Sequence, residues 1–476
     1  MLVWIMGLWM GWVAPEVFIQ DRPTTPTEEP ANKLLRVGRV VIVGNNITRS
    51  RIITRELTLK SGDTIQLKRL PAVLQLDKNK IYNLRLFNTV DCKYLEYEPD
   101  MVDVIVEVSE RWYTFPVPIF ELSDRNFNEW VQNYNADFRR VNYGLRLYQY
   151  NFRGRNETLR LTAQFGFIRK YELQYRIPNL DASQRHGLNF KFDYGEPKNV
   201  AYFTNDHKLD FLSMRSTLRK TVGVNAAYSF RKSFYETHGL EVEFRRSEVA
   251  DTVVLLNPNF YGGDSPRQQF FSLSYTFNSD HRDVIAYPLK GYQFTGYLNK
   301  SGLGLPNENV DLFEANVTYA QHYDLKKGWF FSNFTSGYIS SPSSQPYSLF
   351  GALGYRAQLI RGYEVFVIEG PAFALNKTTL KKRIFSRVWH FEDMPVKQFR
   401  HFPLDIYLKT YTDIGYVRNY PIYEANDINT RLSDKLLAGA GMGLDVVTFY
   451  DTVFRFEYTF TREGTRGFFF NLRKEF

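Results

Sequence analysis

Seven histidines and one cysteine are the side chains of this 476-residue chain best suited to metal or covalent chemistry, and their spacing speaks against both. His186, His207, His238, His281, His322, His390 and His401 show no ligand spacing such as HExxH, and most fall in predicted turns or loops, so no metal is expected. No GxSxG elbow is present to raise a nucleophile. Gly262-Gly263-Asp264-Ser265 reads as a turn. Gly439-Ala440-Gly441-Met442-Gly443 looks superficially like a nucleotide fingerprint, but no βαβ unit surrounds it, and small residues on a strand wall explain it better. Cys92 alone cannot form an intrachain disulfide and reads as a packed thiol in an N-terminal domain. Neither a catalytic residue nor a cofactor is expected.

The elements that would position any site are strands. At the C-terminus Phe468, Phe470, Leu472 and Phe476 share one face, while Gly467, Asn471, Arg473 and Glu475 share the other, with Phe469 the exception. Successive side chains of a strand point to opposite faces, so this pattern suits a wall with hydrocarbon on one side and water on the other. Phe454, Phe456, Tyr458 and Phe460 repeat it against Arg455, Glu457, Thr459 and Thr461. So do Leu159, Leu161, Ala163, Phe165 and Phe167, and again Phe313, Ala315, Val317 and Tyr319. Aromatics reach 17 %, with 32 Tyr and 40 Phe, yet mean hydropathy is −0.37 and 23 % of residues are charged. A helical membrane protein needs runs of about 18 or more apolar residues, and nothing after the N-terminus supplies one. A closed barrel hides its hydrophobicity in every second position, which reconciles the polar average with the aromatics. Thr114 onward reads as about sixteen antiparallel strands, with the outer-membrane lipid as partner. The formal charge of +9 has no Lys/Arg-rich tract and reads as lumen walls and loops, so no nucleic acid is expected.

Four regions follow from composition and pattern. Residues 1–20 hold an apolar, signal-like segment, and residues 21–35, rich in Pro, Thr and Glu, read as a flexible linker. Residues 36–112 read as a small α/β domain in β-α-α-β-β order: strands at 37–43, 87–97 and 102–108, helices over about 50–59 and 67–83. Residues 113–476 form the barrel.

The small domain resembles a POTRA domain, the periplasmic module of the BamA/TamA superfamily of outer-membrane barrels, also known as the bacterial surface antigen family. The matching pieces are Val41-Ile42-Val43-Gly44-Asn45, Thr54-Arg55-Glu56-Leu57, Lys60-Ser61-Gly62-Asp63 and Asn83-Leu84-Arg85-Leu86-Phe87-Asn88-Thr89-Val90, in that order. The barrel resembles the same superfamily at the early periplasmic turn Tyr150-Asn151-Phe152-Arg153-Gly154-Arg155-Asn156-Glu157, and at Arg282-Asp283 with Pro288-Leu289-Lys290-Gly291 before the ninth strand. Ile360-Arg361-Gly362-Tyr363, after the eleventh strand, resembles the superfamily's (V/I)RG(F/Y) motif, and Thr412-Asp413-Ile414-Gly415-Tyr416 resembles its partner strand. The resemblance implies that an extracellular loop folds back into the lumen, where Arg361 meets Asp413 beside Gly415.

It also implies a location in the cell outer membrane of a Gram-negative bacterium, with the POTRA domain in the periplasm. The implied function is assembly of membrane proteins or transport of polypeptides, without a cofactor. A POTRA edge strand would pair with an extended, unfolded client, and a weak seam would lie between the first strand, about 114–123, and the last, 466–476. With one POTRA domain, a specialised factor with accessory periplasmic proteins or lipoproteins is expected, not a general insertase. The alternative is an outer-membrane channel or surface structural protein that keeps the fold without assembly activity. An outer-membrane hydrolase with catalysis at the rim is the enzymatic alternative.

Overall fold

The computed structural model describes residues 33–122, 138, 141–181, 183–354, 358–394, 400–448 and 452–474. The signal-like segment, nearly all of the linker, and Phe476 lie outside the described residues.

The N-terminal unit comprises β1 (Leu34–Val43), α1 (Ser50–Thr54), β2 (Thr64–Gln66), α2 (Leu70–Tyr82), β3 (Phe87–Glu98) and β4 (Met101–Glu110). Its sheet is ordered β2-β1-β4-β3, with β1 and β4 parallel. Ile52 and Ile53 of α1 and Leu70, Leu74 and Ile81 of α2 lie on the same buried side as Leu35, Val37, Val102, Val104 and Val106 of the sheet, forming one apolar core. The predicted first helix ends at Thr54: Glu56 and Leu57 give their N–H groups to carbonyls three residues back, a tighter turn, and Thr58 gives its own to the buried Asp77 carboxylate at 2.8 Å. Pro71, in the first turn of α2, sets that helix's start and leaves 67–69 as a tighter turn. Three-residue β2 is too short for any periodicity to announce it. Cys92 packs half-buried against this core, and burial, followed by the charge of Asp77, pushes its thiol up to about 11.

The rest is dominated by one antiparallel sheet of sixteen strands closing as a barrel. In chain order its first five are β5 (Thr114–Leu122), β6 (Val141–Phe152), β7 (Glu157–Gly166), β8 (Ile168–Ile177) and β9 (His186–Pro197). A side hairpin, β10 (Asn199–Asn205) and β11 (Lys208–Ser213), precedes β12 (Arg219–Arg231), β13 (Glu236–Val249), β14 (Arg267–Asp280), β15 (Gly291–Ser301), β16 (Leu312–Lys326) and β17 (Trp329–Ser341). The short pair β18 (Ala352–Leu353) and β19 (Ile368–Glu369) lies in the next connection, followed by β20 (Ala372–His390), β21 (His401–Arg418), β22 (Leu437–Thr448), β23 (Thr452–Thr461) and β24 (Arg466–Lys474). Each barrel strand pairs with its neighbours in this order. Among the described residues, no backbone ladder joins β24 to β5.

Burial is inverted relative to a water-soluble protein. Along β21, Leu408, Ile414 and Tyr416 are exposed while Tyr407, Lys409, Tyr411 and Asp413 are buried. Only hydrocarbon outside and protein inside make that distribution stable.

Strand parity puts the turns after β6, β8, β12 and β14 on the same side as the N-terminal domain, and all four touch it. Asn151 donates to Thr48 Oγ1 at 2.8 Å, Gln184 to the Arg51 carbonyl at 3.2 Å, and Asn83 to the Asp283 carbonyl at 3.0 Å. Arg231, closing β12, makes a two-pronged pair with the buried Glu56 at 2.7 and 2.9 Å. At the opposite end the β10–β11 hairpin folds onto an aromatic cluster that includes Phe260, Tyr347, Phe350, Tyr420 and Tyr423. His207, at the hairpin tip, is fully buried and accepts the Leu432 N–H at 2.9 Å through Nε2.

Val224, at the centre of β12, is exposed on the lipid side. Val224→Arg should destabilise the folded barrel by about 2–4 kcal/mol in equilibrium unfolding from vesicles, a penalty that Asn225→Arg on the inner face does not incur. Burial, with Arg431 next, lowers His207 to about 4. A histidine depressed in the fold binds its proton more weakly than in the unfolded chain, so the cap should hold above pH 6.5 and loosen as pH falls toward 4. Limited proteolysis of the hairpin across that window checks this; unchanged resistance would rule it out.

Candidate functional site

The long connection between β17 and β20 turns back into the barrel, and its tip carries Ile360, Arg361, Gly362 and Tyr363. Arg361 is 9 % exposed and Asp413, on the inner face of β21, 0 %. The Arg361 backbone N–H and Nε both donate to Asp413 Oδ2, at 3.0 and 2.9 Å, and a terminal guanidinium nitrogen reaches Oδ1. Thr379 accepts a further bond at 3.1 Å, the ring of Tyr411 lies 3.8 Å below the guanidinium carbon, and Glu457 Oε1 stands 3.5 Å away. A guanidinium is the group for this position because its planar fork matches a carboxylate with two parallel bonds and still stacks on a ring.

Glycines make the approach close enough. A side chain at Gly415 would collide with Ile360, and one at Gly439 with the Arg361 carbonyl. Gly362 sits at φ +96°, where a Cβ would also fall 2.6 Å from Thr461 Cγ2. Tyr363 is buried and donates to Glu463 and, at 3.3 Å, to the Ala438 carbonyl. Ile360 and Tyr363 pack with Leu353, Ile368, Phe373 and Leu375, so the tip is held by an apolar clamp around an ionic centre.

The ion pair continues into a larger network. Lys409 reaches Glu457 at 2.8 Å and Asp445 at 2.5 Å, and Arg455 faces Asp445 at 3.5 Å. Tyr287, from the turn before β15, donates to Asp445 at 2.8 Å, and the Lys381 ammonium lies 4.2 Å over its ring. Sequence reasoning missed Lys409, Asp445, Lys381 and Tyr287. The two-residue spacing of Lys409, Tyr411 and Asp413 marks a shared inner face, but the register that sets Glu457 opposite Gly443, and Asp445 opposite Tyr407, cannot be read from one strand alone. The Gly439-to-Gly443 run lies on the wall of β22, with Gly441 beside Tyr411 and Gly443 beside Lys409.

The C-terminal stripe is a separate feature. Phe468 and Phe470 are exposed on the lipid face of β24, and Phe470 lies 5.1 Å from the ring of Phe456 on β23. Leu472 is placed by its backbone in the same strand, while Phe476 is outside the described residues. Among the described residues no cluster of three or more His, Cys, Asp or Glu could hold a metal.

Removing either member of the central pair strands a buried charge. Arg361→Ala and Asp413→Ala should each cost about 3–5 kcal/mol, and the double variant should lose less than their sum by about 1 kcal/mol or more. Thermal unfolding of the four proteins measures the coupling; additive losses would dissolve the pair.

Comparison with known proteins places this geometry. The family model "Omp85 superfamily domain" matches residues 151–476, and the POTRA model "Surface antigen variable number repeat" matches residues 35–111. A search of curated protein sequences finds no match. Among solved structures, BamA from Haemophilus ducreyi lacking POTRA domains 1–3 is 15 % identical at a TM-score of 0.50, over 92 % of this chain and 85 % of that one. CdiB from Escherichia coli is 10 % identical at a TM-score of 0.53, over 92 % and 76 %. With its sixteen-stranded barrel in the outer membrane and its POTRA domain in the periplasm, the chain belongs to the Omp85 superfamily.

Proposed function

We propose that this chain is a specialised factor for outer-membrane protein assembly or polypeptide translocation, acting without a cofactor and without covalent chemistry on an extended client. The observation that carries this reading is the sheet's own discontinuity: β24 and β5 are neighbours in a barrel yet share no ladder among the described residues. Every other adjacent pair is laddered over seven or more residues, so among the described residues this is the one junction where strands part without breaking a backbone ladder. Pro116 and Pro118 in β5 favour that state, because proline has no N–H to give and occurs in sheets at edges. An unpaired edge next to lipid is a template for an incoming strand.

Two further features support the reading. In the POTRA sheet β3 is an outer strand, paired with β4 on one side only, and its second half is exposed from Lys93 to Glu98. That edge suits capture of an extended chain by strand addition. The Arg361 network fixes the loop across the lumen, so the barrel is braced from within while its seam is free, which fits an assembly role better than a wide, steady channel. Phe468 and Phe470 then form the lipid-facing side of the seam's last strand, and accessory periplasmic proteins or lipoproteins would dock on the single POTRA domain.

Depleting the protein should lower the abundance of at least one other outer-membrane or secreted polypeptide, and photo-crosslinkers on β3 and on the β5 and β24 edges should capture that same polypeptide. Normal levels of every such protein, with large, steady conductance from the purified barrel, would favour the channel reading instead.

A further inference from the structure

We propose that the space enclosed between the POTRA domain and the periplasmic mouth of the barrel is a binding site for an acidic, extended polypeptide segment. This rests on the reading of the chain as a polypeptide-handling factor and names the chemistry it selects. The cavity measures about 860 Å³, within the roughly 300–1,000 Å³ usual for ligand pockets. Ten Arg and Lys side chains line it against three carboxylates. The formal charge of the entire chain is only +9, so the excess is a local construction.

Those three carboxylates are already engaged. Glu56 holds Arg231 at 2.7 Å, Asp280 holds Arg282 at 2.6 Å, and Asp283 Oδ1 accepts the backbone N–H groups of Val284, Leu289 and Lys290. Among the other lining cations Arg160 is paired with Glu172, Lys80 with Asp77 and Lys290 with Asp324, whereas Arg176 and Arg185 have no carboxylate partner among the described residues. Arg160 on β7 lies opposite Gln174 and Arg176 on β8 opposite Thr158, which sets the two guanidinium groups diagonally on one inner face. Docking of the POTRA domain adds Arg85, the charged neighbour of Arg176 and of the same sign. Burial and the nearby Arg231 pull Arg55 down to about 10, a further mark of crowded positive charge, although it stays protonated at neutral pH. Bringing like charges together across a domain junction is unfavourable, and an anion in the space reverses the sign of that interaction.

The choice of a polypeptide follows from the remaining walls. Phe115, Tyr150 and Tyr148 form a continuous aromatic face, with ring centroids 6.0 and 5.9 Å apart. A small phosphate-rich ligand would leave that face unused, whereas a chain with carboxylates between other side chains satisfies both walls. A lipid does not suit the position: Arg160, Gln174 and Arg176 point inward, while Leu161 and Leu173, on the same two strands, are exposed on the lipid side. Phe115 belongs to β5, so the site borders the periplasmic end of the open seam.

The test uses the full-length protein in detergent and a fluorescent peptide alternating glutamate and tyrosine, with a glutamine–tyrosine peptide and inositol hexakisphosphate as comparisons. The glutamate peptide should bind, weaken steeply between about 0.05 M and about 0.3 M salt, and lose about tenfold or more in affinity in R160Q/R176Q, the size of one lost charge-assisted hydrogen bond. R185Q, in a turn at the rim, gives a second variant that leaves the strands untouched and should weaken binding in the same direction. Equal binding of the glutamine peptide, or wild-type affinity in both variants, would overturn the proposal. So would R160Q/R176Q-sensitive binding of inositol hexakisphosphate without binding of the glutamate peptide, which would make this a phosphate site. Client loss on depletion with no peptide binding would sink the site and leave the assembly role standing. Peptide binding with every client unaffected would support the site and sink the assembly role.

Discussion

A guanidinium sealed inside a membrane barrel is the constraint around which the lumen is arranged. Buried charge is costly unless it is paired and hydrogen-bonded, so Arg361 dictates what the facing strands carry. Asp413 must stand on the inner face of β21, and Glu457 on the inner face of β23 adds a second negative charge. Glu457 then needs its own partner, which is Lys409, and Lys409 in turn faces Asp445. Each charge makes the next necessary, and the series ends at Tyr287, on the turn whose other residues Asp283 and Ile285 bond to Asn83 of the POTRA domain. Polar contacts joined by the backbone of one turn thus link the tip of an extracellular loop to the periplasmic domain.

The two domains are stable for opposite reasons and meet through a third kind of contact. The POTRA domain buries Leu, Ile and Val as any soluble domain does, whereas the barrel exposes them and buries its charges. Tyr150 of β6 packs against the POTRA core and Lys80 sits over the ring of Phe234, but most of the junction is built from hydrogen bonds and ion pairs at turns. Such junctions depend on placement of a few groups. Glu56 is 2 % exposed and Arg231 closes its strand, which gives this pair a firmer geometry than a solvent-facing salt bridge has.

Alternation is a property of one strand read alone, which is why the barrel, the lipid-facing rows and even the wall position of the Gly439-to-Gly443 run were legible in the sequence. Helix ends and networks were not. The first POTRA helix tightens into a turn at Glu56 and Leu57, and the next N–H, that of Thr58, goes to Asp77, nineteen residues on, a contact that no local pattern in residues 50–59 reveals. Arg361 and Asp413 are 52 residues apart and were linked by motif resemblance, while Lys409 and Asp445 are linked only by the register of β21 against β22. Gly439 reads as a small wall residue and Gly415 as part of the motif's partner strand, but the objects they make room for, the Arg361 carbonyl and the Ile360 side chain, belong to a loop that comes from elsewhere.

Energetics also decides between routes for a client in the proposed role. Passage through the lumen requires the loop to leave, and that separates a buried, hydrogen-bonded ion pair at a cost of about 3–5 kcal/mol, together with the apolar clamp around Ile360 and Tyr363. Parting β5 from β24 breaks no ladder among the described residues, and the prolines of β5 lower what closing that seam would gain. A chain held beside Phe115 in the periplasmic cavity already stands at the foot of the seam. In the proposed role the lateral route would therefore be the lower one, with the lumenal brace holding the laddered strand junctions in register while the seam between β24 and β5 opened.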